Sequence, residues 1–318
     1  MTPVTSTTLA LAALMNLRGV GRRQALRLVS DRLPDDADVE AEICSLAAKA
    51  GHAADVAADA IAKARERLSC SIEAGVAALG VHDEGYPSRL RDTPDPPAVL
   101  YVKGDARALR APRAIAVVGT REPTEYGAKV ARKLARRVAE AGYVVVSGLA
   151  HGCDTLGHEG CLDADGMGVA VMAHGLDKVY PAANRGLAER LIMGGGCLVS
   201  EYALGVTPMR NAFAERDRIQ SGLSDAVLVV ETDVKGGTMH TVRFAREQRR
   251  LLDCIEHPDK WLGEDKTRGN RKLIADGWAK PIANAEALLD FLRNVATKAD
   301  HLQPPAPTRN DRQHAFAL

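Results

Sequence analysis

Short apolar runs alternate with amphipathic stretches from residue 114 onward, and this alternation limits the folds open to the chain. The runs are rich in Val, Ile and Ala, and they are too short to be buried helices. Helical patterns separate them, as in residues 126–141 and 239–250. Strands buried on both faces and joined through helices form a parallel sheet covered on each side. The sequence therefore predicts an α/β fold with helices on both faces of a parallel sheet, whose strands lie at 114–118, 143–146, 169–173, 197–200, 226–230 and 251–255.

A small all-α region is expected before the sheet. Residues 7–75 are rich in Ala and Leu at helical spacing and contain no strand-like run. Within them, residues 17–21 (Leu-Arg-Gly-Val-Gly) are typical of a helix-hairpin-helix turn, whose amides can contact a DNA phosphate, or of a plain tight turn between helices. We expect a helical domain over residues 1–78 and a sheet domain over residues 79–297.

Proline content marks the connector to the sheet and the end of the chain. Residues 83–105 contain four prolines, which argue against a helix and favour an extended connector ending in a short edge strand at 99–102. Residues 269–270 and 277–292 have the pattern of closing helical segments. After about Thr297 the composition becomes polar and proline-rich, so residues 298–318 are predicted to form a flexible tail.

Charge and cysteine usage narrow the environment of the protein. The formal net charge is +1, so any surface that attracts nucleic acid must be local. Residues 113–137 carry seven basic side chains against two Glu, and the helical part of this stretch is expected to be a solvated face. Six cysteines without a CxxC pair favour a reducing compartment. With no apolar run of about eighteen residues and no signal-peptide pattern, we expect a cytoplasmic protein without a membrane contact.

Small and polar residues follow the predicted strands at their carboxyl ends. In an open parallel sheet, ligands bind beyond this edge. Glycine in a strand-to-helix turn permits close backbone approach and leaves helix N-terminal amides free for an anion. Several such turns at one edge predict a phosphate-lined groove, formed by Gly119, Thr120, Arg121, Ser147, Gly148, Gly175, Lys178, Gly236, Gly237 and Thr238.

Dinucleotide, P-loop and metal sites are disfavoured. The first turn reads GTREP instead of GxGxxG, and Ser147 and Gly148 end the strand where a ribose-binding acid belongs. No GxxxxGK[ST] motif is present. The His and Cys residues between 151 and 161 match no common zinc spacing, and packing against a helix explains them better. We expect no metal and no cofactor.

Distinct motifs follow one another from about Tyr86 to Trp278. They are GTR at 119–121 with YG at 126–127, SGLAHGCD at 147–154 with His158, GLDKVYP at 175–181 with Asn184, SEY at 200–202, Phe213 with RDRI at 216–219, VVE at 229–231 followed by GGT, and GNRKLIADGW at 269–278. In this order they resemble the signature of the DNA-processing protein A (DprA/Smf) family.

The resemblance implies an extended Rossmann-like domain that binds single-stranded DNA, helps to load the RecA recombinase and usually forms a homodimer. It also implies phosphate-facing basic residues, which are Arg121, Lys178, Arg216 and Arg218 in this chain. Phe213 would lie near the backbone or stack on a base, a contact worth about 1–3 kcal/mol, and core packing is the alternative for this ring. We therefore expect a DNA-binding recombination mediator without catalytic residues, and leave open whether it serves transformation, repair or defence.

The chain departs from the family pattern inside these motifs. Asp217 stands in place of an Asn, Ala214 in place of a Pro, and residues 235–239 (Lys-Gly-Gly-Thr-Met) in place of a serine-glycine-serine turn. These changes concern the groove and not the sheet. They leave the fold assignment intact and put the bound substrate in question.

Two alternatives of a different class remain open. Residues 236–238 also resemble the phosphate loop of LOG-type nucleotide phosphoribohydrolases, which share the superfold. Those enzymes place a glutamate a few residues later, whereas Met239 and His240 follow here. Glu231 and Glu201, at the ends of two predicted strands, are the carboxylates that could serve such an enzyme. A nucleotide-binding sensor would use the same pocket without DNA.

Overall fold

The apolar runs form the strands of one mixed sheet. A computed structural model of the chain describes residues 4–34 and 38–302. All the predicted strands are present, with bounds shifted by at most two residues. Within the described residues the sheet has nine strands: β1 (Val76–Gly80), β2 (Val99–Gly104), β3 (Ala114–Val118), β4 (Val144–Ser147), β5 (Gly168–Val171), β6 (Cys197–Ser200), β7 (Ala226–Val229), β8 (Leu251–Ile255) and β9 (Lys280–Ile282).

The strand order creates a switch point in the middle of the sheet. The order is β1-β2-β6-β5-β4-β3-β7-β8-β9, and the strands from β3 to β9 all run parallel. The chain adds strands outward from β3 as far as β6, then returns to add β7, β8 and β9 on the other side. Ile115 of β3 lies opposite Val145 of β4 and Ala226 of β7. The carboxyl ends of β3 and β7 therefore mark the place where open α/β sheets bind ligands.

Helices cover both faces of the sheet, as predicted. They are α1 (Ser6–Leu14), α2 (Arg22–Leu28), α3 (Val39–Lys49), α4 (Ala54–Glu73), α5 (Ser88–Arg91), α6 (Glu125–Glu140), α7 (Cys153–Leu162), α8 (Arg185–Met193), α9 (Arg210–Gly222), α10 (Thr238–Glu247), α11 (Arg268–Ala275) and α12 (Ala285–Leu302). Alternate strand residues point to opposite faces. Val117 shares a core with Leu134 of α6 and Phe291 of α12, whereas Val118 shares another with Val242 of α10. In the described part of the chain, no helix has the length and apolar character needed to cross a membrane.

Two expectations at one margin of the sheet are wrong. Residues 99–102 belong to β2, which is not an edge strand, because β1 and β6 pair with it antiparallel on its two sides. The edge strand is β1, which sequence reasoning missed because Val-Ala-Ala-Leu-Gly has a single β-branched residue. The proline-rich connector also contains one helical turn, α5. Pro87 precedes this turn, and its fixed φ suits the start of a helix.

The last part of the described chain differs from the prediction, because a strand interrupts its helices. Residues 277–292 were predicted to be helical, but they include β9, and Pro281 is tolerated in this strand because it lies at the edge of the sheet. Gly269 and Asn270 lie in α11. The helix α12 continues to Leu302, past the predicted start of the tail. The rest of that predicted tail, residues 303–318, lies outside the described residues.

The N-terminal helices share a core with the first strands of the sheet. Leu11 of α1 and Leu68 of α4 are buried in one cluster with Leu100 of β2. Thr8 Oγ1 donates a buried hydrogen bond of 2.7 Å to Asp83 Oδ2. The turn predicted at residues 17–21 joins α1 to α2. Because β1 spans residue 78, the division of the chain into two domains at that point stays a prediction.

Asn270 joins three segments at the carboxyl edge of the sheet, and its replacement tests the packing there. Its buried amide nitrogen donates to the carbonyls of Val230 and Ile255 at 2.9 Å, and its oxygen accepts from the amide of Thr232 at 3.0 Å. We predict that Asn270→Ala lowers the free energy of unfolding by about 3 kcal/mol, because three buried backbone groups lose their partner. Urea denaturation measures this change.

The matched control is Asn294→Ala on α12. Asn294 is exposed, so its replacement should change the free energy of unfolding by no more than about 0.5 kcal/mol. Equal effects of the two substitutions would contradict the role assigned to Asn270.

Candidate functional site

A cavity of about 530 Å³ opens at the carboxyl ends of β3 and β7. It lies between the β3–α6 loop, the start of α7, one side of α9 and the β7–α10 loop. The groove predicted at this edge of the sheet therefore has a counterpart in the structure. Eight of the residues proposed from the sequence line the cavity: Gly119, Thr120, Arg121, Phe213, Arg216, Gly236, Gly237 and Thr238.

The β7–α10 loop lines the cavity with Gly236, Gly237 and Thr238. Gly237 precedes α10, a helix of ten residues, and no side chain caps this N-terminus. The loop is held from within, since the amide of Gly236 donates to the carbonyl of Asp233 at 3.0 Å. The N-terminal end of a helix carries partial positive charge and exposed N–H donors, both of which attract anions. This wall of the cavity is therefore suited to a phosphate.

The guanidinium of Arg216 lies at the floor of the cavity. Its side chain is only 6% exposed and packs directly on Gly148, where any Cβ atom would collide with it. It donates to the Gly148 carbonyl at 3.3 Å, and the carboxylates of Asp154 and Asp217 lie 3.8 and 3.5 Å away. Within the described residues its Nε has no hydrogen-bond partner. A buried guanidinium with a spare donor can bind an oxyanion.

Burial raises the pKa of both acids beside Arg216. For Asp217 on α9, burial raises the pKa to about 6, although the positive charge of Arg216 and a 3.1 Å hydrogen bond from Gln220 Nε2 oppose it. For Asp154 on α7, burial likewise outweighs the charge of Arg216 and raises the pKa. The cavity floor thus combines one guanidinium with two acids that release their protons less readily than usual.

An aromatic pair lies next to Arg121 at the side of the cavity. The guanidinium carbon of Arg121 is 5.3 Å from the ring centroid of Phe213, and the ring of Tyr180 is 5.7 Å from the same centroid. Phe213 is half-buried and outside the two apolar cores, while Tyr180 is 50% exposed. Rings held in this way can stack on bases. Sequence reasoning missed Tyr180, although it lies two residues after the proposed Lys178.

Five other residues proposed from the sequence, including Arg218, do not line the cavity. Ser147 is buried and donates to the Val117 carbonyl at 2.7 Å. Gly148 packs against the guanidinium of Arg216. The amide of Gly175 donates a hydrogen bond to the Val206 carbonyl at 2.9 Å. Lys178 is exposed in the loop that leads to Tyr180. Ser147, Gly148 and Gly175 therefore shape the site from within the fold, and a phosphate contact at Lys178 stays a prediction.

Arg218 belongs to a buried ion-pair network on the other side of α9. Its Nη2 lies 2.5 Å from Glu201 Oε2, and Arg22 of α2 reaches the same oxygen at 2.8 Å. Asp95 pairs with both arginines, at 2.6 Å from Arg22 and 3.4 Å from Arg218. The network connects the N-terminal helices to the sheet. Arg218 and Glu201 therefore contribute to the fold, and a phosphate contact at Arg218 stays a prediction.

Glu231 is fully buried after β7 and does not line the cavity. Its carboxylate accepts hydrogen bonds from the amide and the hydroxyl of Thr124 at 2.8 and 2.5 Å, and lies 3.2 Å from Nε2 of His257. Gly127 makes room for it, since a Cβ atom there would overlap the carboxylate. Burial raises the pKa of Glu231, but the hydrogen bonds from His257 and Thr124 outweigh burial and lower it. Glu231 thus caps the start of α6.

The residues considered for zinc lie mostly inside α7. Burial raises the pKa of the Cys161 thiol to about 12 and lowers the pKa of His158 to about 3. In residues 4–34 and 38–302, no group of three or more His, Cys, Asp or Glu side chains could hold a metal ion. Cys153 and Cys161 pack in the core on the α6 side of the sheet.

Known proteins match most of the chain. The DNA processing protein DprA of Bacillus subtilis is 37% identical over 230 residues, which cover 72% of this chain and 76% of that protein. Protein Smf of Escherichia coli is 37% identical over 66% of this chain and 55% of its own length. Protein Smf of Synechocystis is 42% identical, again over 66% of this chain. The match spans about half the length of the two Smf proteins, covering 55% and 52% of them.

Solved structures agree with these matches. The chain superposes on DNA processing protein A of Streptococcus pneumoniae with a TM-score of 0.69 and 27% identity, over 90% of this chain and 93% of that one. DNA processing protein A of Helicobacter pylori, described for its single-stranded DNA binding mode, gives a TM-score of 0.61 at 30% identity, over 70% and 96%. The Rossmann-like fold expected from the motifs is confirmed. The family model of DNA recombination-mediator protein A matches residues 77–293, and the chain therefore belongs to that family.

Proposed function

We propose that the chain binds single-stranded DNA at the cavity and acts as a recombination mediator without chemical turnover. The observation that carries the proposal is the buried guanidinium of Arg216, whose Nε lacks a partner among the described residues. Burying a charge is costly unless its hydrogen bonds are completed. Because Arg216 lines the cavity, a backbone phosphate there could accept hydrogen bonds from its guanidinium, and the N-terminal end of α10 would favour the phosphate's negative charge.

A single strand suits this site better than a duplex. Proteins that read a duplex insert a helix or ribbon into a groove, whereas single-strand sites combine cationic pockets with rings on which unpaired bases stack. The site is concave, and Phe213 and Tyr180 stand beside it with Arg121. A strand whose phosphate enters the cavity can place a neighbouring base on these rings. The single-strand binding described for the Helicobacter pylori relative supports this arrangement.

We further propose a RecA-type recombinase as the protein partner, a homodimer as the working assembly and the cytoplasm as the location. A recombination mediator acts by delivering DNA to a recombinase, so family membership supports the first of these. The cysteines of the described residues are free thiols, and four of them are buried, which supports a reducing compartment.

The phosphoribohydrolase alternative lacks the carboxylates once considered for it. Glu231 caps α6, and Glu201 is bound by Arg22 and Arg218, so neither faces the cavity as a free acid. Cleavage of an N-glycosidic bond needs an acid or base within hydrogen-bond reach of the sugar or base. The acids that do line the cavity, Asp154 and Asp217, lie beside the guanidinium of Arg216.

The first prediction from the proposed function concerns the form of DNA that binds. Single-stranded DNA should bind more tightly than duplex of the same length, with little sequence preference, because phosphates and stacked bases dominate the contacts. The logarithm of the binding constant should fall against the logarithm of salt concentration with a slope of about −0.7 per phosphate contact. Fluorescence anisotropy with labelled oligonucleotides measures both quantities. Equal affinity for the duplex would contradict the proposal.

The second prediction concerns Arg121. Replacing it by Ala should weaken single-strand binding about tenfold, because a charge-assisted contact worth about 1.4 kcal/mol is lost beside Phe213. The melting temperature should barely change, since the side chain is exposed. Arg293→Ala on α12 is the matched control, because Arg293 is also exposed and lies outside the cavity lining. Unchanged affinity in Arg121→Ala would remove this residue from the site.

The third prediction separates a binder from an enzyme. Nucleoside monophosphates incubated with the protein at concentrations that saturate DNA binding should release neither free base nor ribose 5-phosphate. Chromatography of the products measures this. Sustained turnover that is lost in Glu231→Gln or Asp217→Asn would favour the enzyme instead.

A further inference from the structure

Three charged side chains meet on the floor of the cavity. Arg216 and Asp217 are neighbours on α9, and Asp154 approaches from the first turn of α7. The side chains of Asp154 and Asp217 are 9% and 13% exposed. All three line the cavity, so whatever occupies the cavity lies against this group.

The guanidinium is shared loosely between the two acids. Its nitrogens lie 3.5 Å from Asp217 and 3.8 Å from Asp154, whereas a charge-assisted hydrogen bond measures about 2.7–2.9 Å. Arg216 Nε and Gln220 Oε1 are buried and without hydrogen-bond partners among the described residues. With both acids ionised, the three side chains carry a net charge of −1. An anion that approached this floor would meet an excess of negative charge, which costs free energy in a buried site.

Protonation of one acid removes that excess. We propose that the cavity takes up a backbone phosphate together with one proton on Asp217, so that strand binding strengthens as the pH falls below neutrality. The proton comes from solvent, the neutral carboxyl group donates a hydrogen bond to a phosphate oxygen, and Arg216 turns its free donors to the same phosphate. This inference rests on the proposed single-strand binding and adds its dependence on pH.

The pKa of Asp217 has the right value for such coupling. Burial, opposed by Arg216 and Gln220, raises it to about 6, so the carboxyl group is largely ionised at neutral pH and takes up its proton as the pH falls toward 6 and below. A bound phosphate would raise this pKa further, because a second negative charge disfavours the ionised carboxylate. By linkage, the protein then takes up protons as it binds the strand.

Other charged groups face Asp217, and their effects on the pH dependence of binding must be separated from its own. Asp154 faces it from α7, and His240 faces it from α10. Asp233 of the β7–α10 loop and Arg210 of α9 line the same cavity. Protonation of His240 would also favour an anion at low pH, and protonation of Asp154 would act through the same guanidinium. Substitutions of His240 and Asp154 distinguish these sources of pH dependence from Asp217.

The experiment measures the affinity for a labelled oligothymidine between about pH 5.5 and 7.5 at constant ionic strength, in the full chain and in three variants. In the wild type, affinity should fall about tenfold over this range, since a shift of one pKa unit corresponds to that factor. Asp217→Asn, which keeps the shape and a hydrogen-bond donor, should bind equally well at both pH values and more tightly than the wild type at the upper one. His240→Gln should keep the wild-type slope. Asp154→Asn removes a negative charge that raises the pKa of Asp217, so its pH dependence should move to lower pH.

Calorimetry supplies a second, independent test. Binding heats measured near pH 6.5 in buffers of different ionisation enthalpy should show proton uptake, and uptake should vanish in Asp217→Asn. An unchanged slope in Asp217→Asn, or a slope lost in His240→Gln, would overturn this inference and leave single-strand binding standing. Absence of binding by the wild type at every pH would overturn both.

Discussion

The buried carboxylate of Glu231 holds together the loops from which the cavity is built. It ties the end of β7 to the start of α6 through Thr124, and to the segment after β8 through His257. Its backbone carbonyl accepts a 2.8 Å hydrogen bond from the amide of Thr120, which fixes the loop that carries Arg121. A carboxylate at this point also lies against the N-terminus of α6, where negative charge is favoured. The position of the β3–α6 loop therefore depends on a residue that no ligand would contact.

Arg216 and Arg218 show how one helix separates two similar side chains. Residues two apart on a helix point about 200° away from each other, because one turn takes about 3.6 residues. Arg216 consequently meets the cavity floor, while Arg218 meets Glu201 and the N-terminal helices. The ionic network around Arg218 holds the layer that carries α2 in place, and Arg216 keeps donors to spare. One helix thus provides both a structural contact and the guanidinium proposed to bind a phosphate.

These two arginines also explain how far the sequence could predict the site. Strands from β3 to β8 were predicted because each is a continuous apolar run between helical patterns, and the strand ends then gave the edge at which the cavity lies. The partners of Arg216 and Arg218 depend on contacts between residues far apart in the chain, which no local pattern encodes. The strand β1 was missed for the same reason, since its apolar character is weak and its pairing with β2 defines it. Tyr180 likewise gains its place from its contact with Phe213.

A chain with a formal net charge of +1 can bind a polyanion only through local fields. Part of the basic stretch of α6 is neutralised locally, because Arg132 pairs with Asp163 at 2.6 Å and Arg136 with Glu140 at 2.8 Å on an exposed surface. In the cavity, the guanidinium of Arg216 would supply such a field once one of the two acids beside it takes up a proton, at a place where solvent and salt screen less. With the proposed function, affinity would depend on the fit of a few phosphates and on stacking. This is the balance that a protein needs if it binds any sequence and must later release the strand to a partner.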